Sequence, residues 1–180
     1  MLKKLFGASA LVLALGLVGC GDEPENPKED KENDVAKEDE LTYPTIEGTQ
    51  AYDVVLSIED ATGIPKPETV HNEDTYSWSG TDALYSYEIE SNKNHEIGHA
   101  EFYALEGDVE YLGFCATMPS KNIDSDKAKT WVEENAGTEA TAEFGDAVFK
   151  LSVGEGNTLI LTIESKGYQN WVDAWLDAHM

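Results

Sequence analysis

The sequence predicts an α+β domain: one antiparallel sheet with helices on one face, built from two related helix-plus-strands halves. Three observations predict it. Short runs such as Tyr85-Ser86-Tyr87-Glu88-Ile89 alternate apolar and polar residues, the two-residue period of a half-buried strand. Other runs place apolar residues three and four apart, the period of a helix docked on a sheet. Finally, two strings recur in the same order. Ile58-Glu59-Asp60-Ala61-Thr62-Gly63 parallels Val132-Glu133-Glu134-Asn135-Ala136-Gly137, and Asp82 through Ile89 parallels Asp146 through Val153. Each copy reads as a helix end, a glycine, a short strand, then a turn into an apolar strand. Copies that share a core form one antiparallel sheet with helices on a face.

The chain opens with a different kind of segment. Lys3 and Lys4 lead an apolar run from Leu5 to Val18, and small residues precede Cys20. Positive start, apolar middle and small-residue cleavage site make a secretory signal. The run is shorter than the roughly 20 residues a membrane-spanning helix needs. Leu17-Val18-Gly19-Cys20 resembles the lipobox of bacterial lipoproteins. That resemblance implies cleavage before Cys20, a diacylglycerol on its sulfur, an acylated amine, and a protein anchored to the membrane facing outside the cytoplasm. The expected organisation is therefore a signal peptide at 1–19, a lipidated Cys20 with an acidic tether over 20–41, and one extracytoplasmic domain at 42–180.

Charge narrows the partners. The chain of 180 residues has 36 acidic and 12 basic residues, and every basic one is lysine. From Leu41 onward there are 26 acids and 7 lysines, a net charge of −19. Nucleic acid is excluded as a natural partner, because phosphate binding needs a basic face. Without arginine the chain also lacks the planar fork that clamps carboxylates and phosphates. Cations or basic partners suit such a surface better, although acidity also serves solubility. With Cys20 lipidated, Cys115 has no partner within the chain, so the domain must rely on a hydrophobic core rather than a disulfide.

The elements follow in order. Residues 21–40 carry 10 acids, 3 lysines and one large aliphatic residue, Val35. Such a stretch buries too little apolar surface to offset its ordering entropy and is expected to be a disordered spacer. It would span about 25 Å as a coil and about 70 Å when taut. Tyr52, Val55, Leu56 and Glu59 follow helical spacing, and Gly63 marks the end of that helix. Pro65 and Pro67 prevent its continuation. Strands are expected over Thr75–Ser79 and Asp82–Glu90, with a turn at Asn92-Lys93-Asn94. Ile97–Leu105 and Val109–Met118 are expected to form a hairpin across Glu106-Gly107-Asp108. Asp124 caps a second helix through Asn135, with Ala128, Trp131 and Val132 on one face. Strands at about 141–144, 147–153 and 158–164 follow. A closing helix, Tyr168–His179, carries an apolar stripe of Tyr168, Trp171, Val172, Trp175 and Leu176. In topology alone this arrangement resembles the duplicated helix-plus-sheet domains of the beta-lactamase-inhibitor-protein type.

One string carries explicit chemistry. His95-Glu96-Ile97-Gly98-His99 fits H-E-x-x-H and resembles the signature of zincin metallopeptidases. On a helix, His95 and His99 would share a face and bind zinc, with Glu96 as general base. Asn94 could cap such a helix, with Ile97, Ala100, Tyr103 and Ala104 inward. Three observations weigh against it. Phe102 and Leu105 occupy the positions where the metzincin extension needs Gly and His, and Glu133 or Glu134 offers a third ligand without a supporting motif. Ser91-Asn92-Lys93-Asn94 before the motif is turn chemistry. Lastly, the repeat aligns this region with a hairpin. In a strand the two histidine Cα atoms would lie about 13 Å apart, beyond the reach of one ion.

Weaker signals have structural accounts. Asn122-x-Asp124-x-Asp126 has the oxygen alternation of a calcium loop, but Lys127 stands where an EF-hand needs glycine, and a helix cap explains it. Cys115 has no adjacent cation and reads as an inert buried thiol. Trp171 and Trp175 could form a binding stripe but read mainly as core packing, whereas Tyr76 and Trp78 fit a core and a sugar-stacking or protein-binding face equally. The sequence therefore points to a non-catalytic, membrane-tethered binding module for a protein or cell-envelope ligand, with no cofactor. The alternatives are a zinc peptidase and an envelope spacer with no specific ligand.

Overall fold

Alternation sorts the strands into two unlike faces. The computed structural model describes residues 41–105 and 107–180; the signal segment, Cys20, the acidic stretch 21–40 and Glu106 lie outside the described residues. Seven strands, β1 (Val70–His71), β2 (Tyr76–Thr81), β3 (Tyr85–Ser91), β4 (Ile97–Ala104), β5 (Ala140–Phe144), β6 (Ala147–Val153) and β7 (Leu159–Ser165), form one sheet. Their spatial order is β1-β2-β3-β4-β7-β6-β5, every pairing antiparallel. Tyr87, Ile89, Ala100, Phe102, Leu161, Ile163, Phe149 and Leu151 point to a buried apolar face. Their neighbours in sequence, among them Glu88, Glu90, His99, Glu101, Thr162 and Lys150, form the polar face, where Glu164 alone of these outward residues is nearly buried.

The helices are α1 (Ala51–Thr62), α2 (Val109–Cys115), α3 (Ser125–Asn135) and α4 (Tyr168–His179). The first three contribute Val54, Val55, Ile58, Leu112, Cys115, Ala128 and Val132 to the core on the apolar face. The fold is thus α+β with an antiparallel sheet, and a helix followed by strands occurs twice, as α1–β1–β2–β3–β4 and α3–β5–β6–β7, the first run carrying the extra short strand β1. The last strands of the two runs, β4 and β7, pair at the centre of the sheet.

Two local expectations change. Residues 109–115 form helix α2, not the second strand of a hairpin. Asp108 decides this: its carboxylate accepts from the backbone N–H groups of Glu110 and Tyr111 at 3.0 and 3.2 Å, an N-cap that satisfies donors a helix start leaves open. Tyr111, Leu112 and Cys115 then fall on one buried helical face. On α1 the buried stripe is Ala51, Val54, Val55 and Ile58, while Tyr52 is 49% exposed with Lys66 Nζ 4.1 Å over its ring. Gly63 does end that helix, at a φ of 79°.

A bulge sets the start of β4. Ser91 pairs with Ile97 and Glu90 with His99, leaving Gly98 as the extra residue. This lets Ile97 and Ala100, three residues apart, both face the core. A Cβ at Gly98 would collide with the Tyr43 ring and the Pro44 carbonyl. The segment 43–50 therefore lies across the ends of the central strands. Ile46 N–H donates to Ile97 O at 2.8 Å, Ser165 Oγ to Pro44 O at 2.9 Å, and Glu47 N–H to Asp146 Oδ2 at 2.7 Å.

Candidate functional site: an aromatic cleft beside the last helix

The H-E-x-x-H string does not form a helix. His95 sits in the turn before β4 with a φ of 64°, and His99 is in β4 itself. The turn is built by Asn92, whose Oδ1 accepts from the N–H groups of Asn94 and Glu96 at 2.8 and 3.0 Å. Asn92 Nδ2 also donates to the Glu96 carboxylate at 3.0 Å, so the would-be base is a turn partner. The two imidazoles have different neighbours: His95 packs on Tyr76 and Trp78, and His99 stacks on Tyr168 at 4.7 Å. Among the described residues no group of three or more His, Cys, Asp or Glu side chains is placed to hold a metal ion. The zinc reading needs a shared helical face, and this backbone does not supply one.

The other chemical candidates resolve as structure. Asp124 caps α3 and pairs with Lys127 at 2.7 Å, while Asn122 donates to Glu47 at 3.2 Å. Cys115 is buried, and desolvation pushes its thiol well above the ordinary range, against a smaller opposing effect from Tyr111. Trp78 is 3% exposed and belongs to the core. The tryptophans of α4 do the reverse of what their spacing suggests. No residue of α4 is buried, and Trp171, Val172 and Trp175 remain half-buried with Leu176 exposed.

That unfilled stripe lines a cleft of about 750 Å³, within the size range of small-ligand sites. One wall is α4, with Tyr168, Trp171, Trp175 and His179. The other is the β1–β2 hairpin from His71 to Thr75, joined by Glu90 from the polar face of the sheet. The hairpin is closed by Asn72 N–H donating to Thr75 O at 2.9 Å. The aromatic rings run in series: His99 on Tyr168, then Trp171 at 6.2 Å, Trp175 at 6.4 Å, and His179 at 4.3 Å from Trp175. Tyr43 meets Trp171 edge-on at 4.8 Å and Tyr168 at 6.0 Å, so the N-terminal segment braces the foot of α4.

The cleft is electrically negative at its base. Burial, then the nearby carboxylate of Glu90, push the hydroxyls of Tyr43 and Tyr168 well above the ordinary tyrosine range. Trp171 Nε1 and His99 Nδ1 are buried polar atoms without a hydrogen-bond partner among the described residues. Tyr87 Oη and Asp146 Oδ1 are in the same condition elsewhere in the domain, so it is the stacked rings and the carboxylates that distinguish the cleft. The arrangement offers stacking surface, directional donors and carboxylates, which is recognition chemistry; it presents no nucleophile paired with a base. Sequence reading ranked a binding stripe here below core packing because an i, i+3, i+4 stripe looks the same whether its partner surface is present or absent.

Compared with known proteins, the chain matches no family model, and no curated protein or solved structure is significantly similar to it.

Proposed function

We propose that the protein is a membrane-anchored extracytoplasmic lipoprotein, tethered through lipid on Cys20, whose domain is a non-catalytic module that binds a protein or cell-envelope ligand in the α4 cleft. The anchor rests on the residue pattern that ends at Cys20. No helix among the described residues is long and apolar enough to cross a membrane, so these residues supply no competing helical span. The observation that carries the binding role is the open stripe. A helix with two tryptophans ordinarily buries them, yet Trp171 and Trp175 line solvent-accessible space beside carboxylates. Tethering supports the role physically, because confinement near a membrane raises effective concentration and lets a modest affinity suffice.

Two measurements test this reading. Cys20→Ser should move the protein from the membrane to the soluble fraction, since several acyl chains hold a protein far more firmly than one; retention in the membrane at normal levels would remove the anchor. For the cleft, a photo-crosslinking amino acid replacing Leu176, at its mouth, should give a discrete adduct with an envelope component in intact cells. The same group replacing Glu139, away from the cleft, should not. Identical adduct patterns at the two positions would favour the spacer reading.

A further inference from the structure

The charge pattern of the cleft narrows what can occupy it. Aromatic surface from Trp171 and Trp175 faces three carboxylates, Glu73, Asp74 and Glu90. Lys93 pairs with Asp74 at 3.1 Å, but neither Glu73 nor Glu90 forms an ion pair among the described residues. The same sign continues onto the open sheet face, where Glu88, with Ser77 and Ser79, lines a shallow depression that shares Glu90 with the cleft.

We propose that the cleft receives a basic, partly apolar segment of a partner protein, with an arginine or lysine side chain lying over Trp171 and Trp175 and its charge directed at Glu90 and Glu73. The inference rests on the reading of the domain as a binding module. A cation over an indole face is attracted by the ring quadrupole, and the attraction grows when the pair is desolvated, as in a cleft. Arginine suits the site better than lysine, because a planar guanidinium stacks on the ring while its edge donates to a carboxylate.

Charge argues against the other occupants. A second copy would bring two acidic rims together on domains that each carry 26 acids against 7 lysines from Leu41 onward. Leu41, the first described residue, lines a hollow shared with Trp171 and Asp74. Residues 21–40 nevertheless hold 10 acids against 3 lysines, the wrong sign for this rim. An anionic lipid surface is repelled in the same way.

The test uses the full lipoprotein in neutral detergent micelles and a labelled eight-residue peptide alternating arginine and leucine. Matched peptides carry lysine, glutamine or glutamate in place of arginine. Binding is read by anisotropy and by protection of tryptophan from acrylamide. Binding should rank arginine above lysine, with glutamine weak and glutamate absent. Glu73→Gln with Glu90→Gln should weaken the arginine peptide at least tenfold, as should Trp175→Ala. Glu139→Gln with Glu155→Gln, the same charge change away from the cleft, should alter it less than twofold. Equal weakening by the two charge pairs would reduce the effect to bulk attraction and overturn the proposal. Equally tight binding of the glutamine peptide, abolished by Trp175→Ala, would overturn the basic ligand and leave the binding module standing. Self-association abolished by Trp175→Ala would assign the cleft to a second copy, and tryptophan protection by anionic vesicles would assign it to lipid. No tryptophan protection by any peptide, together with no adduct at Leu176, would remove both readings.

Discussion

On the polar face of β4, His99, Glu101 and Tyr103 stand in one row, because alternate residues of a strand share a face. His99 Nε2 lies 3.6 Å from Glu101 Oε1, and the Tyr103 hydroxyl donates to the other carboxylate oxygen. Hydrogen bonding from His99, and secondarily from Tyr103, outweighs desolvation and brings the Glu101 carboxyl down from 4.5 to about 2. The folded state therefore holds its proton less tightly than the unfolded chain. The resulting stability is present above about pH 4.5 and is lost as pH falls toward 2. Glu101→Gln should cost on the order of 1–2 kcal/mol at pH 6. It should also flatten the decline of the urea midpoint between pH 4.5 and 2; a decline as steep as in the parent would assign acid lability to other carboxylates. The same row shows why a matching string can mislead. His99 is spaced four residues from His95 for a helix, but its backbone is a strand, and its ring belongs to the foot of α4.

At the scale of elements, capping decided between structures that composition left equal. Tyr111-Leu112-Gly113-Phe114-Cys115 is rich in residues that favour strands, yet it forms α2. Asp108 accepts from two backbone donors at its start and from the Tyr85 hydroxyl at 2.7 Å. Gly113 then allows close approach to α3, since a Cβ there would stand 3.2 Å from Glu133 Oε1. Asp108→Ala should cost about 2 kcal/mol, combining the lost cap with a tyrosine hydroxyl deprived of its partner. The check is the chemical-denaturation midpoint beside that of Asp108→Asn, which can keep the cap and should lose less. In α4, by contrast, periodicity predicted the span Tyr168–His179, and only its surroundings were unforeseen. Whether an apolar stripe is core or binding wall depends on what lies opposite, and opposite this one lies a hairpin of five mostly polar residues.

At the scale of the whole molecule, the two helix-and-strand runs cannot be stable apart. Their junction is β4 against β7, with Phe102 paired to Leu161 and Ala100 to Ile163, all fully buried. Separating the runs would expose this apolar face and two unpaired strand edges. Leu161→Ala should therefore cost about 2–5 kcal/mol and lower the stability of both runs together. Hydrogen exchange should report it: amides of β3 and of β6 should lose protection in parallel. Loss confined to β5–β7 would mean that the halves unfold independently. The segment 43–50 reinforces the junction, bonding to Ile97, Ser165 and Asp146 across both runs.

Periodicity, glycine placement and caps are local properties, so the sequence alone determined the α+β class, six of the seven strands, the spans of α3 and α4, and the duplicated order. Its acidity and lack of arginine likewise set the sign of its own charge. Tertiary structure decided the rest, because the rest depends on residues far apart in the chain. It turned 109–115 into a helix, settled Trp78 in the core, and left Trp171 and Trp175 uncovered. That last outcome depends on where the 71–75 hairpin, Glu90 and Tyr43 come to rest around α4. No window of sequence around the helix contains that information.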